Sequence, residues 1–390
     1  MRKIAAVLLA AAIVISFCGI ASAADTTKTF TDDLGREVVL PAEVNHVSPS
    51  GALAQIVLYS FDPSNFISLY TKFSDAQKKY IDPSLYDLKV TGSMFGSKTT
   101  MNAEEIIALD KEIGIDVIID VGAAKASIQP GMDDMQTKTG IPFVFVTQDV
   151  LSDIPTSYVT LGKLLGEEKR GQELSDYTSG ILKTFETGMA KVGDKKVSMI
   201  YVTKVDGSAV NLIGLDSYHG EVIDYLANNA APKAVTGSGV GDQYTMEDIL
   251  KMNPEYIIVS GSGYLQHDYY NTIMSDPMWA TLDAVKNGKV YEAPVECPWA
   301  WMGNPPASHR LVSMLWLGNI FYPDVFNYNI DDKVKEFYST FYGYKLTDAE
   351  LSELMVYSKG TAKQTAKTPA PIFAVAAALG AAAVFALRRK

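Results

Sequence analysis

One arrangement of polar and apolar positions occurs twice along the chain. Residues 103–120 read AEEIIALDKEIGIDVIID and residues 246–260 read MEDILKMNPEYIIVS, with Glu104 and Glu247 in matching places 143 positions apart. In each copy two carboxylates precede an apolar run at helical spacing, then a short break, then a β-branched run of strand length. Each copy therefore predicts a helix feeding a buried strand. Such a unit cannot cover both faces of its strand alone, so two units far apart imply two sheet domains of similar build with a cleft between them.

The remaining pattern fills in this outline. The polar opening Thr31 to Pro41 places Leu34-Gly35 as a turn between two short strands. Residues 29–151 then alternate apolar runs with helical stretches, with strands expected at His46-Val47, Phe66 to Tyr70, Lys89-Val90, Asp116 to Asp120 and Pro142 to Val146. Residues 152–192 carry no strand signal. Leu174, Tyr177, Ile181 and Phe185 recur there at helical spacing, which predicts a connecting helix with a bend near Gly166. Residues 195–357 form the second α/β lobe, with strands at Lys196 to Val202, Ala209 to Ile213 and Lys289 to Ala293. Its helices are expected at Glu221 to Asn228, Pro305 to Trp316, Asp331 to Phe341 and Thr347 to Tyr357.

The two ends concern location. Arg2 and Lys3 precede an apolar run closed by Ala21-Ser22-Ala23, the pattern of a secretory signal over residues 1–23. Residues 358–370 read as a flexible tether. Pro371 to Leu387 carries no charge and is followed by Arg388-Arg389-Lys390. Its 17 residues would span about 25 Å as a helix, against a hydrocarbon core of about 30 Å, so it is either a short membrane anchor or a removable sorting signal. The entrance Thr368-Pro369-Ala370-Pro371-Ile372-Phe373 and the basic end resemble archaeal surface-anchoring tails, although that group usually carries Pro-Gly-Phe. Both readings tether the body at the outer cell surface.

Without the leader only Cys297 remains, so no intrachain disulfide is expected. A net charge of −11 with 20% charged residues argues against a nucleic-acid partner. No nucleophile elbow, zinc helix, phosphate loop, dinucleotide fingerprint or EF-hand is present. With four histidines in the chain, a histidine-rich metal cage is not expected, and neither catalysis nor a resident cofactor is. The competing reading is a surface metal-ion chaperone or hydrolytic enzyme built on the His219 and His267 region.

Ligand contacts are sought where strands end, because loops at the carboxyl ends of α/β strands face the crevice. In the first lobe these loops hold Ser50, Gly51, Phe95 and Lys98; in the second they hold Tyr218, His219, Tyr264, Trp299 and Trp301. Open backbone N–H groups and flat rings suit a bulky planar or chelated ligand. Asn102 and Thr245 are the expected N-caps, with Glu105 and Asp248 as capping-box partners. Glu104 and Glu247 are left as either helix-dipole charges or a matched pair of docking charges.

The opening Asp33-Leu34-Gly35-Arg36-Glu37-Val38, the two repeats, Leu161-Gly162-Lys163-Leu164-Leu165-Gly166-Glu167-Glu168, and Glu336-Phe337-Tyr338 with Phe341-Tyr342-Gly343-Tyr344 together resemble the iron-siderophore and vitamin B12 class of periplasmic binding proteins. The resemblance covers residues 29–357. It implies two Rossmann-like α/β lobes joined by a single long helix, a ligand cleft between the lobes, and delivery of a metal chelate to the permease and ATPase of an ABC importer. A ferric siderophore is the first expectation, a corrinoid or haem the next. It also implies that Glu104 and Glu247 dock onto permease arginines.

Overall fold

The computed structural model describes residues 26–95 and 99–359. The expected leader, Lys98, most of the tether and the C-terminal segment 371–390 lie outside these residues.

Strands β1 (Thr27–Thr31) and β2 (Glu37–Pro41) pair antiparallel around Gly35, whose φ of +78° suits glycine. The Asp32 carboxylate accepts the backbone N–H of Leu34 and of Arg36 and pairs with the Arg36 guanidinium at 2.7 Å. Arg36 also donates to the Phe143 carbonyl and to Asp133, which fastens the hairpin to the lobe behind it.

The first lobe continues with β3 (Val47–Pro49), β4 (Ser68–Leu69), β5 (Lys89–Val90), β6 (Val117–Gly122) and β7 (Phe143–Thr147). β3, β6 and β7 form one parallel sheet in that order, and the parallel pair β4–β5 adjoins it through Ile67 N–H to the Val47 carbonyl. Helices α1 (Ala52–Leu58), α2 (Asp75–Lys78), α3 (Ala103–Ile113) and α4 (Ile128–Thr139) connect these strands.

The connecting segment runs as two helices, α5 (Ile154–Leu165) and α6 (Glu168–Val192). The break falls at Gly166, in the left-handed region at φ +73°, where the bend was expected. Gly162 and Gly171 face each other across the corner: a Cβ on Gly171 would stand 2.5 Å from the Tyr158 carbonyl oxygen. The 25 residues of α6 make a strut about 37 Å long.

The second lobe contains β8 (Ser198–Asp206), β9 (Ala209–Leu212), β10 (Asn228–Asn229), β11 (Asp242–Thr245), β12 (Tyr256–Ser260) and β13 (Val290–Ala293). The order is β11-β9-β8-β12-β13 with β10 on β8; β10, β8, β12 and β13 run parallel, β9 pairs antiparallel with β8, and β11 pairs antiparallel with β9. Helices α7 (Glu221–Leu226), α8 (Met246–Met252), α9 (Asp268–Ser275) and α10 (Asp283–Lys286) flank the sheet, and α11 (Arg310–Phe321), α12 (Ile330–Tyr342) and α13 (Asp348–Leu354) close the body.

The repeat is visible in the packing. Ile106 of α3 lies in one cluster with Ile118 of β6, and the matching Ile249 of α8 in another with Ile257 of β12. The caps differ between the copies: Thr245 and Asp248 form the expected capping box, whereas Asn102 accepts from Glu104 N–H and Glu105 takes no part. The third and largest cluster runs from Val38 through Tyr158 and Phe185 to Trp316 and Phe341, so both lobes and the connecting helices share one core.

Two further expectations are corrected. Pro305 and Pro306 lie ahead of α11, which starts at Arg310, because a residue before proline is pushed out of helical geometry. Ser358 is packed, not part of a tether: it is 2% exposed, its carbonyl accepts Trp316 Nε1–H and its hydroxyl donates to the Glu292 carbonyl.

Candidate ligand cleft

The loops that follow the parallel strands of the two lobes meet along a seam. Beyond β4, Gln77 Nε2 donates to the Pro298 carbonyl beyond β13 at 2.9 Å, and the Tyr80 hydroxyl lies 3.0 Å from that of Tyr264, beyond β12. Beyond β7, Leu151 N–H donates to the Glu221 carboxylate at 2.9 and 3.1 Å. The carboxyl edges of both sheets therefore face each other, the arrangement in which α/β lobes bind ligands.

On the first lobe, Ser50 ends β3 with its N–H on the Ile119 carbonyl and its hydroxyl on the Asp120 carboxylate. Burial pushes the Asp120 carboxyl up to about 6, although the Ser50 bond opposes this. Gly51 lies beside Ser93, whose Oγ would be 3.2 Å from a Cβ there. Met94 N–H donates to the Ser50 carbonyl, which sets the half-buried Phe95 next to this edge, with its ring against Gly131.

On the second lobe, Tyr218 is 40% exposed, with its ring 5.6 Å edge-on from that of His219. His219 Nδ1 lies 3.4 Å from the Gly303 carbonyl. Burial, helped by the nearby Arg310 charge, lowers the His219 pKa and keeps the ring neutral near pH 7. Ser50 is itself enclosed, 1% exposed with its N–H and hydroxyl both engaged, so Gly51 and Phe95 stand at the carboxyl edge of the first lobe and Tyr218 and His219 at that of the second.

Other expected contacts are engaged elsewhere. Trp301 is 1% exposed, packs edge-on to Trp316, and its Nε1–H reaches the Tyr338 hydroxyl at 3.3 Å; it is a core residue. Trp299 is wedged between Tyr59 and Tyr342. The Tyr264 hydroxyl is held by Lys79 and Tyr80 across the seam. His267 pairs with Glu292 at 2.6 Å, while His219 turns to Gly303, so the two histidines serve separate environments. Among the described residues no three His, Cys, Asp or Glu side chains are grouped to hold a metal ion. Cys297 is a packed thiol, pushed up to about 12 by burial. A cavity of about 440 Å³ is lined by Tyr59, Lys79, Tyr80, Arg170 and Tyr344, two of which also reach Tyr264 across the seam, and none of the expected contacts lines it.

Sequence reasoning passed over Arg310 and Glu221. They form an ion pair at 2.5 Å where α7 and α11 begin, and Glu221 also receives Leu151 N–H. Burial raises the Glu221 pKa, while Arg310 and the Leu151 N–H oppose that rise. Arg310 heads an otherwise apolar helix that contains no acid, and that isolation was the available signal.

Residues 74–296 match the family model described as periplasmic binding protein. The chain belongs to the periplasmic binding protein family. It is a substrate-binding protein of the ABC-transporter type, not an enzyme, and works outside the cytoplasm. A molybdate-binding protein, MolA of Haemophilus influenzae, is 22% identical over 333 residues, covering 81% of this chain and 91% of that protein. An Fe(3+)-citrate-binding protein, YfmC of Bacillus subtilis, is 24% identical over 221 residues, covering 56% of this chain and 65% of that protein. The solved ABC transporter solute binding protein of Sulfurospirillum deleyianum superposes with a TM-score of 0.74 at 26% identity, covering 84% of this chain and 99% of that one. No described helix of this periplasmic binding protein is long and apolar enough to cross a membrane.

Proposed function

We propose that this periplasmic binding protein captures a ferric chelate of the siderophore type and hands it to an ABC permease and its ATPase. The observation that carries this reading is the facing of the two carboxyl edges, with Gly51 and Phe95 at the edge of the first lobe and Tyr218 and His219 at the edge of the second. Half-buried backbone at Gly51 and rings on both sides suit a ligand that bridges the lobes. No resident cofactor is required. The iron-citrate relative supports an iron complex as cargo. An oxyanion such as molybdate is the second reading, because the molybdate-binding relative is matched over 91% of its length; a corrinoid or haem follows.

Glu104 and Glu247 are proposed to dock the permease. Both are exposed in the first turns of α3 and α8, and each of those helices descends to the start of the strand it feeds. Their first turns therefore stand at the carboxyl edges, beside the seam. Residues 371–390 are proposed to anchor the body at the outer surface; membrane fractionation of the chain with and without them should move the protein from pellet to supernatant, and an unchanged distribution would refute anchoring.

A thermal-shift panel tests the ligand class. One ferric chelate at 100 times its Kd should stabilise the protein by about 2.7 kcal/mol, with no comparable effect of bare zinc or nickel. A shift with molybdate alone would move the assignment to the oxyanion, and a shift with a bare metal alone would refute both.

A further inference from the structure

The cavity of about 440 Å³ lies where three segments converge: residues 59–86 of the first lobe, the start of α6 and the end of α12. That volume is within the range of small-molecule sites. Gly343, in the left-handed region at φ +62°, ends α12 and turns the chain so that Tyr342 and Tyr344 both line the cavity. Tyr59, Phe61, Tyr80 and Phe341 add four buried rings. Arg170 closes one side. Its Nε donates to the Ser60 carbonyl at 2.9 Å and its Nη2 to the Thr340 carbonyl, so it ties the three segments together and is occupied in doing so.

Two hydroxyls are left over. Tyr342 is 8% exposed, with its ring packed by Trp299, Phe337 and Tyr338. Its hydroxyl makes no hydrogen bond among the described residues. A polar group enclosed to this degree is costly unless something satisfies it, and the cavity is the open space beside it. Tyr59 accepts the Asp82 N–H at 2.8 Å. Burial pushes the Tyr59 phenol up to about 12, so it keeps its proton, for which the described residues supply no acceptor. The two phenols are close enough to influence each other.

The charge at this place is positive, although the chain as a whole carries −11. Lys78, Lys79 and Arg170 line the cavity together with one acid, Asp82, whose carboxylate is held by Ser84 N–H at 2.8 Å. Glu350 takes up Lys79 at 3.4 Å. The Lys78 ammonium lies 5.7 Å over the Tyr86 ring and pairs, among the described residues, only with the fully exposed Asp75. Such a pair holds little free energy, so a ligand carboxylate can displace it.

We propose that this cavity is a second ligand site, separate from the cleft between the sheet edges, and that it takes a small aromatic acid. The flat ring lies against the tyrosines, the carboxylate accepts from the Tyr342 and Tyr59 hydroxyls, and Lys78 supplies the countercharge. The site is independent of the cargo proposed above, because none of the expected cleft contacts lines it.

The test is calorimetric titration of the full chain with benzoate and naphthoate. Benzamide, which lacks the charge, and cyclohexanecarboxylate, which lacks the flat ring, are the controls. Both aromatic acids should bind more tightly than either control. Y342F keeps the ring and removes the hydroxyl; it should weaken binding about tenfold. K78Q should weaken it about two- to fivefold. Y218A, at the edge of the cleft, should leave it unchanged. Melting temperatures without ligand separate a folding defect from a lost contact, and if Y342F is unstable the half-exposed K78Q decides. Unchanged affinity in a stable Y342F, or equal binding of the controls, overturns the proposal. Equal weakening by Y218A overturns it by placing the acid in the cleft. No binding of either acid at millimolar concentration overturns it as well.

Discussion

At the scale of single residues, the carboxyl edge of the first lobe contains a proton that should be measurable. Asp120 is 9% exposed, and burial holds its carboxyl at about 6, above the roughly 4 of an unfolded aspartate. Between these values the folded state keeps a proton that the unfolded state has released. Stability therefore falls as pH rises from about 4 to about 6 and stays lower above that. D120N leaves an acceptor for Ser50 and carries no charge, so urea denaturation should show it more stable than the wild type by about 1–3 kcal/mol at pH 7 and no more stable at pH 4. An equal difference at both pH values would show that the carboxyl does not titrate as described. Residues of this kind were poorly legible in the sequence. Ser50, Gly51, Phe95, Tyr218 and His219 could be placed at the seam because they follow strands. Asp120 and Arg310 could not, because their importance comes from enclosure by other segments. Trp301 misled for the same reason: alternation with Trp299 in a loop does not reveal that helices α11 and α12 cover it.

Elements were read more securely than their ends. The two helix–strand repeats stand out because acids at the start and apolar residues at helical spacing make a local signal, and each helix uses its own cap. N102A and T245A should each cost about 1 kcal/mol in chemical denaturation; no loss in T245A would contradict the capping box seen in α8. The connecting segment shows the limit. Its apolar face and the bend at Gly166 were legible, but the tight approach of α5 to α6 depends on residues nine apart meeting across the corner. G171A would drive a Cβ to 2.5 Å from the Tyr158 oxygen and should destabilise the protein by about 1–3 kcal/mol. G180A, on the exposed side of the same helix with nothing within 4 Å, should instead stabilise it by up to about 1 kcal/mol. Loss of stability in both would mean that glycine is needed in α6 for bending, not for contact. The late start of α11 is a further end effect, set by consecutive prolines that resemble a helix entry in sequence.

For the whole molecule, duplication and a shared core determine the behaviour. One hydrophobic cluster passes through both lobes and the α5–α6 connection, and polar contacts tie the seam at Gln77, Tyr80 and Leu151. Ligand capture should accordingly proceed with little change in overall dimensions, and a large compaction in solution scattering would contradict a braced pair of lobes. On the proposed docking, delivery depends on the outer charges. Glu104 has no ionic partner among the described residues, and Glu247 is paired at 2.9 Å only with the exposed Lys251. Reversing both acids with E104K and E247K should abolish uptake through the permease while ligand affinity is retained; normal uptake would return them to helix-end charges. The central claim is that cargo lies between the two facing sheet edges. Hydrogen exchange with and without the chelate that gives the largest thermal shift tests it most directly. Protection should appear together in segments 48–52 and 93–95 of the first lobe and 216–221 and 303–311 of the second. Protection confined to one lobe, or centred on the cavity around Arg170 and Tyr344, would contradict it.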